Sequence, residues 1–178
     1  MAFSRPMIQD GRHTPRPDPM KLPRTVRLDT SDTKVYARAA EPGEWAVPGA
    51  FRFAGVDPAA LDKKARQAFK SAWLGLDGFG DCSIVEAMEA SDDQYEACVR
   101  KLAAHFVEVY GAPDVLVAAR AAREELAYAA TLADHPNHTL LTLEREPVEG
   151  GGVSERVRVV VKSRAGDHTR VWELGGDG

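Results

Sequence analysis

The sequence predicts an α+β domain of two layers, with a mainly antiparallel sheet and three helices on one face of it. Short segments near both ends of the chain alternate between apolar and polar residues, which is typical of strands with one buried face. Residues 58–133 instead carry apolar residues mostly at helical spacing. Because the strands come in hairpin-like groups, an antiparallel sheet is favoured, and the predicted order of elements is βββαβααββ.

The predicted strands fall before, between and after the helices. Residues 25–28 and 34–38 alternate with period two around a polar turn, and residues 49–54 follow two Pro-Gly pairs. Residues 79–89 form the fourth predicted strand. Residues 139–146 and 153–162 are predicted to form a hairpin around the glycines at 150–152.

Capping residues mark the three predicted helices. Asp57 and Pro58 supply an N-cap and a first-turn proline, and the first helix is expected to run to the glycines at 75 and 78. Ser91 with Gln94 forms a capping box for the second helix, which Gly111 ends. The third helix is expected to begin at Pro113 and to end near residue 133.

The composition divides the chain into one domain and two tails. Residues 1–23 are rich in arginine and proline and are expected to be disordered, residues 24–162 to form the domain, and residues 163–178 to be a loose tail. We leave open whether residues 1–19 are a genuine translated tail, because Met20 is a plausible start. The two cysteines, Cys82 and Cys98, lack the spacing of a disulfide framework and are expected to be buried and reduced.

The bulk numbers exclude several classes of protein. The net charge of −4 over 178 residues gives no sign of a nucleic-acid or membrane partner for the chain as a whole. No segment has the apolar length of a signal peptide or of a membrane span, so we expect a cytoplasmic protein.

Strand periodicity predicts a basic surface on the sheet. If the apolar positions of the strands face the helices, the alternate positions form an open face that is almost entirely basic. Such a face suits an acidic protein surface, although an ordinary solvated face balanced by glutamates is the competing interpretation. The predicted partner-binding residues are Arg27, Lys34, Tyr36, Arg38, Arg52, Arg156, Arg158 and Lys162.

A basic helix stripe and the number of aromatic residues bear on the class of partner. Lys63, Arg66 and Lys70 form one stripe on the first predicted helix, which we interpret as a solvated helix face. Tyr36 is the only aromatic residue on the predicted basic face. Because binding of single-stranded nucleic acid needs several stacking aromatics, nucleic acid is a less favoured partner than an acidic protein.

Glu86 is the candidate for acid/base catalysis. It shares a strand face with apolar residues, and burial there would raise the pKa of its carboxyl group. The competing interpretation places it at an exposed strand end. Asp134, His135 and His138 are weak candidates for metal ligands, because a turn with no further ligand nearby explains them as well. No cofactor is predicted.

Four segments of the sequence also look like a known family. Residues 20–29, residues 40–51, the Phe79-Gly80 pair and the Asp134-His-Pro segment together resemble an uncharacterised proteobacterial family of unknown function, over about residues 20–162. The resemblance implies no catalytic residues. It implies an accessory role, with a redox or cofactor enzyme as the partner.

Three hypotheses of function follow from the sequence. The first is a non-catalytic accessory protein that binds an acidic partner through the basic face. The second is a small enzyme or ligand-binding domain with a pocket around Glu86. The third is a weak nucleic-acid binder. The oligomeric state stays open.

Overall fold

The computed structural model describes residues 19–160, and within them the fold is α+β with antiparallel sheets, as predicted. Three parts of the sequence-based predictions lie outside the described residues. These are residues 1–18 of the first predicted tail, the whole second predicted tail, and Lys162. The strands are β1 (Lys21–Val26), β2 (Ala46–Val47), β3 (Trp73–Gly75), β4 (Asp81–Cys82), β5 (Ile84–Glu89), β6 (Leu140–Val148) and β7 (Gly152–Val159). The α-helices are α1 (Ser31–Val35), α2 (Lys63–Ser71), α3 (Asp92–Tyr110) and α4 (Val115–Leu132).

The strands form two antiparallel sheets that meet at one bridge. The larger sheet has the order β1-β5-β6-β7, and the smaller has the order β2-β3-β4. An isolated bridge between Arg24 and Trp45 connects β1 to the segment that leads into β2. Because β1 already contains Lys21, Leu22 and Pro23, the domain begins before the boundary predicted at residue 24.

The second half of the chain folds as its local signals predict. The Ser91 side chain accepts a hydrogen bond from Gln94 N, and the Gln94 side chain accepts one from Ser91 N, so the predicted capping box is present. Gly111 ends α3 at a φ of 67°. Asp114 caps α4, and β6 and β7 form the predicted hairpin.

The predicted second and third strands are wrong. Residues 31–35 form α1, and the chain then extends through Tyr36, whose side chain is buried. Ala50–Phe53 is a short 3-10 helix, because Phe51 packs edge-on against Phe106 and Phe53 packs edge-on against Phe69. Contacts distant in sequence therefore override the local alternation in both segments.

The first predicted helix is shorter than expected. Asp57 caps only a 3-10 turn over Pro58–Ala60, and Asp62 caps α2 by accepting a hydrogen bond from Ala65 N at 2.8 Å. The helix ends at Ser71, because Trp73 and Leu74 pair with Cys82 and Val47 in the smaller sheet. Both side chains are buried in the core.

The core consists of three clusters. The largest lies between α3, α4 and the inner ends of β1, β2 and β3. A second joins Val85, Leu141 and Leu143 of the larger sheet to Trp73 and Ala46 of the smaller one. The third packs Tyr36 against Ala68 and Ala72, which places the segment containing Tyr36 beside α2.

Candidate basic docking surface

The structure does not bring onto one sheet face the seven predicted partner-binding residues that lie within residues 19–160. Arg156 and Arg158 lie on β7, where they are exposed, and Arg158 forms an ion pair with Glu144 at 3.2 Å. Arg27 follows β1 and is half-buried, and it donates a hydrogen bond to the Ala40 carbonyl. The predicted continuous face is therefore wrong, because only some of these residues belong to strands.

Tyr36 and Arg52 are interior residues of the fold rather than surface contacts. The Tyr36 hydroxyl lies 3.1 Å from Ser71 Oγ and 3.0 Å from Ser83 Oγ, and burial raises the pKa of this phenol. Arg52 donates to Asp81 Oδ1 at 2.5 Å, with both side chains mostly shielded from solvent. These contacts occupy the polar groups that the sequence analysis assigned to a partner.

Within residues 19–160, α2 carries a cluster of exposed positive charge. This nine-residue helix has the sequence KKARQAFKS, with no acidic residue. Among residues 19–160, none of its four cations lies within 4.0 Å of a carboxylate, whereas Arg123, Arg145 and Arg158 each form an ion pair. We call the four exposed side chains of Lys63, Lys64, Arg66 and Lys70 the α2 basic surface.

Two of these lysines occupy positions that reduce the stability of the helix. Lys63 and Lys64 are the first two residues of α2, and no acidic residue lies in that first turn. The helix dipole places partial positive charge at this end, so each cation there costs roughly 0.3–1 kcal/mol compared with an anion. Their positions are therefore not explained by helix stability.

Two further predicted residues, Lys34 and Arg38, are exposed. Each is two residues from Tyr36, which packs against Ala68 and Ala72 on the buried side of α2. They do not belong to the α2 basic surface. The sequence analysis recognised the stripe of Lys63, Arg66 and Lys70 but interpreted it as a solvated face.

A groove separates α2 from β6. Its volume is about 520 Å³, and it is lined by Arg66 and Lys70 of α2 and by Glu144 and Glu146 of β6. The Arg66 guanidinium is held in place by hydrogen bonds to the Ala59 and Leu61 carbonyls at 3.4 and 3.0 Å. Phe69, the one aromatic residue of α2, is buried, so α2 presents no aromatic ring for base stacking.

Arg145 connects α2 to the sheet beneath it. Its side chain is 0% exposed and donates hydrogen bonds to the carbonyls of Ala68, Phe69 and Ala72 at the end of α2, and to that of Pro48. It also forms an ion pair with Glu155 at 2.7 Å. Arg145 follows Leu141 and Leu143 at period two on the buried face of β6, which is the sequence signal that could have identified it.

Two further groups, Tyr128 and the partly buried Glu125, extend this charge network toward the surface. The Tyr128 hydroxyl donates to Glu155 Oε1 at 2.9 Å, and burial together with that carboxylate raises the pKa of Tyr128 to about 12. Glu125 accepts a hydrogen bond from Gly49 N at 3.2 Å, and burial raises the pKa of its carboxyl group. The network thus fixes α4, β6 and β7 around the end of α2.

Glu86 forms a contact with His138 rather than lying in an apolar cavity. Its carboxylate lies 2.9 Å from His138 Nδ1, and its side chain is 19% exposed. His138 is 70% exposed and adopts a left-handed φ of 68°. The linings of five surface cavities within residues 19–160 do not include Glu86. A carboxylate–imidazole pair can exchange a proton with a ligand, but this one lies on an open surface.

The candidate metal ligands do not form a metal site. No group of three His, Cys, Asp or Glu side chains in residues 19–160 is placed to hold a metal ion, which includes Asp134, His135 and His138. His138 instead contacts Glu86, and the His135 carbonyl accepts a hydrogen bond from Lys21 at 2.5 Å.

The cysteines are buried and free, as predicted. Burial raises the pKa of Cys82 and of Cys98 to about 11. Both thiols are therefore protonated near neutral pH, which is unlike the low pKa of a reactive thiol.

The comparison with family models identifies this chain. A family of unknown function, DUF6505, matches residues 20–172. The chain belongs to this family. A search of curated proteins and a search of solved structures found no match. The match begins at the residue from which the sequence resemblance was predicted and extends ten residues beyond its predicted end.

No single helix in residues 19–160 is both long enough and apolar enough to cross a membrane. The pair α3 and α4 meets those two criteria jointly, but the two helices are bent by 118° at their junction.

Proposed function

We propose that this member of DUF6505 is a non-catalytic accessory protein that docks an acidic partner protein on the α2 basic surface. One observation carries the proposal: four exposed cations lie on nine residues of α2, and none lies within 4.0 Å of a carboxylate of residues 19–160. Unpaired like charges repel each other, and an acidic partner relieves that repulsion.

The positions of Lys63 and Lys64 support the proposal. A protein under selection for stability alone gains from acidic residues in the first turn of a helix. Function often retains residues that stability disfavours, and binding sites are a common case. Asp62, the N-cap of α2, supplies one carboxylate at this helix end, and an acidic partner adds negative charge beside the two lysines of the first turn.

An acidic protein explains α2 better than nucleic acid does. Binding to single-stranded nucleic acid combines cationic side chains with exposed aromatic rings on which bases stack. The only aromatic side chain of α2 is buried. We infer that the protein acts in the cytoplasm, and the partner class implied by the sequence resemblance, a redox or cofactor enzyme, stays a prediction.

The experiment begins with recovery of the partner at low salt. The full-length chain is used as bait in a lysate of its native host, with and without nuclease treatment, and captured proteins are identified by mass spectrometry. The proposal predicts an acidic protein that survives nuclease treatment and dissociates as salt is raised, since screening weakens exposed charge pairs. Recovery that depends on nucleic acid would favour the third hypothesis.

Charge reversal then locates the docking surface. The purified partner is titrated against the wild type and against the Lys63→Glu/Lys64→Glu variant, for which we expect affinity to fall about tenfold or more. The matched control is Arg156→Glu/Arg158→Glu, which reverses two exposed charges of the predicted sheet face. If the control weakens binding and the α2 variant does not, the docking surface is β7 and the proposal fails.

The Glu86–His138 contact supports a second candidate function, acid/base catalysis on a small ligand. Two observations favour it. The Glu86 carboxylate lies 2.9 Å from His138 Nδ1, and His138 has a left-handed backbone conformation, which is often found at functional sites. Screening of ligands by thermal shift at several pH values, on the wild type and Glu86→Gln, tests it. A ligand that stabilises the wild type but not the variant would support this candidate, and a screen without such a ligand would count against it.

A further inference from the structure

An apolar groove runs between α3 and α4, on a part of the molecule other than α2. Its volume is about 500 Å³. Four of its ten lining residues are charged: Glu96, Arg100, Glu108 and Arg123. The apolar lining consists of Val99, Ala103, Ala104, Val107, Val115 and Ala119.

Exposed apolar side chains extend from one end of this groove. Val115, Leu116 and Val117 begin α4 and are 68%, 83% and 48% exposed. Val109 and Tyr110, at the end of α3, are also exposed. Contiguous apolar surface of this kind marks an interaction site, because monomeric proteins rarely leave it uncovered.

The charged residues of the groove are two acids and two bases, and only one acid and one base form an ion pair with each other. Glu96 and Arg123 already form an ion pair across the groove, at 2.9 Å. Arg100 and Glu108 also line the groove, and neither lies within 4.0 Å of an opposite charge among residues 19–160. Ala104 lies midway between them on α3 and is exposed.

This arrangement is self-complementary under a two-fold rotation. In an isologous contact, residue i of one copy meets residue j of the other, and residue j meets residue i. If the axis passes near Ala104 and the two α3 helices run antiparallel, Arg100 of each copy faces Glu108 of the other. The small, exposed side chain of Ala104 permits close approach of the two helices.

We propose that the α3–α4 groove is a homodimer interface, with a second copy of this chain as its occupant. The antiparallel arrangement brings Val115 and Leu116 of each copy toward the Val99 end of the other copy's groove. It covers the exposed apolar residues and satisfies two unpaired charges in each copy. A purely acidic partner would pair only with Arg100, and a purely basic partner would pair only with Glu108.

The test measures mass in solution by sedimentation equilibrium of the full-length chain over a concentration series. The proposal predicts a reversible approach to twice the chain mass of 19.4 kDa as concentration rises. A single-chain mass at every concentration would overturn it. Leu116→Asp should raise the dissociation constant about tenfold or more, since it places a charge in an apolar contact.

Matched variants separate this interface from others. Leu28→Asp is the control, because Leu28 is 64% exposed but lies far along the chain from α3 and α4. It should leave dimerisation unchanged. Arg100→Glu alone and Glu108→Arg alone should each weaken the dimer, and the combined Arg100→Glu/Glu108→Arg variant should restore it. Failure of the double variant to restore dimerisation would overturn the antiparallel pairing, and circular dichroism confirms that each variant folds.

The result is independent of the proposed function, since the mutated residues do not belong to the α2 basic surface. Loss of partner binding with an intact dimer, or the reverse, identifies which of the two proposals fails.

Discussion

Arg145 and the lysines of α2 show how differently the same charge is used in one small fold. Arg145 is completely buried, and its donors are taken up by four carbonyl oxygens and the Glu155 carboxylate. Lys63 and Lys64 are exposed, lack an acidic contact within residues 19–160, and stand at the unfavourable end of a helix dipole. Hydrogen-bonded burial assigns the first cation to stability, whereas exposure without a partner suggests that the others serve binding.

The largest expected effect is the loss of Arg145. Arg145→Met removes the cation, so the nearly buried Glu155 carboxylate keeps the Tyr128 hydroxyl but loses its counter-charge, and the Phe69 and Pro48 carbonyls lose the guanidinium donors. Breaking a buried ion pair in this way costs about 3–5 kcal/mol of unfolding free energy. Urea denaturation measures it. Arg158→Met, which removes an exposed guanidinium from the same hairpin, is the control and should change stability by less than about 0.5 kcal/mol. If the two variants lost the same unfolding free energy, the claim that burial makes Arg145 a stabilising residue would be contradicted.

A smaller effect is expected at Tyr36. Tyr36→Phe removes the hydroxyl that contacts Ser71 and Ser83 but keeps the ring that packs against Ala68 and Ala72. We expect a loss of about 1 kcal/mol of unfolding free energy, the usual net value of such hydrogen bonds, and no change in partner binding. If the variant bound the partner more weakly but kept its unfolding free energy, Tyr36 would be a partner-binding residue, as the sequence predicted, and the interior role would be contradicted.

The smallest effect concerns Glu125 and depends on pH. Burial raises the pKa of this carboxyl in the folded chain above its ordinary value of 4.5. The folded state therefore binds the proton more tightly than the unfolded state, and stability falls as pH rises from 4.5 through the folded pKa. Glu125→Gln keeps an acceptor for Gly49 N, so it should be more stable than the wild type at neutral pH and equal to it below about pH 4. Thermal melts over that pH range would contradict this if the variant were less stable at neutral pH.

The contrast between the two halves of the chain explains what the sequence could predict. From Ser91 onward the structure is determined by local signals: a capping box, Gly111 after α3, Asp114 before α4 and glycines in the hairpin turn. These signals act within a few residues, so pattern analysis identified the capping box, Gly111 and the hairpin glycines. It placed the start of α4 at Pro113 and did not identify the Asp114 cap.

Between β1 and β5 the structure depends on distant contacts. Residues 34–38 alternate like a strand, but Tyr36 is fixed by Ser71 and Ser83, which lie 35 and 47 positions away. The predicted basic face failed for the same reason, since it required residues 34–38 and 49–54 to be strands. The stripe on α2 was visible in the sequence. Only the three-dimensional structure shows that no carboxylate of residues 19–160 lies within 4.0 Å of its cations.

The central claim, that the α2 basic surface is kept for binding at the expense of stability, is tested most directly by the Lys63→Glu/Lys64→Glu variant. Its unfolding free energy in urea and its dissociation constant for the purified partner are measured in the same buffer. We predict that unfolding free energy rises by about 0.5–2 kcal/mol, because anions replace cations in the first turn of α2, while binding weakens about tenfold or more. Unchanged binding, or a fall in both quantities together, would contradict the claim.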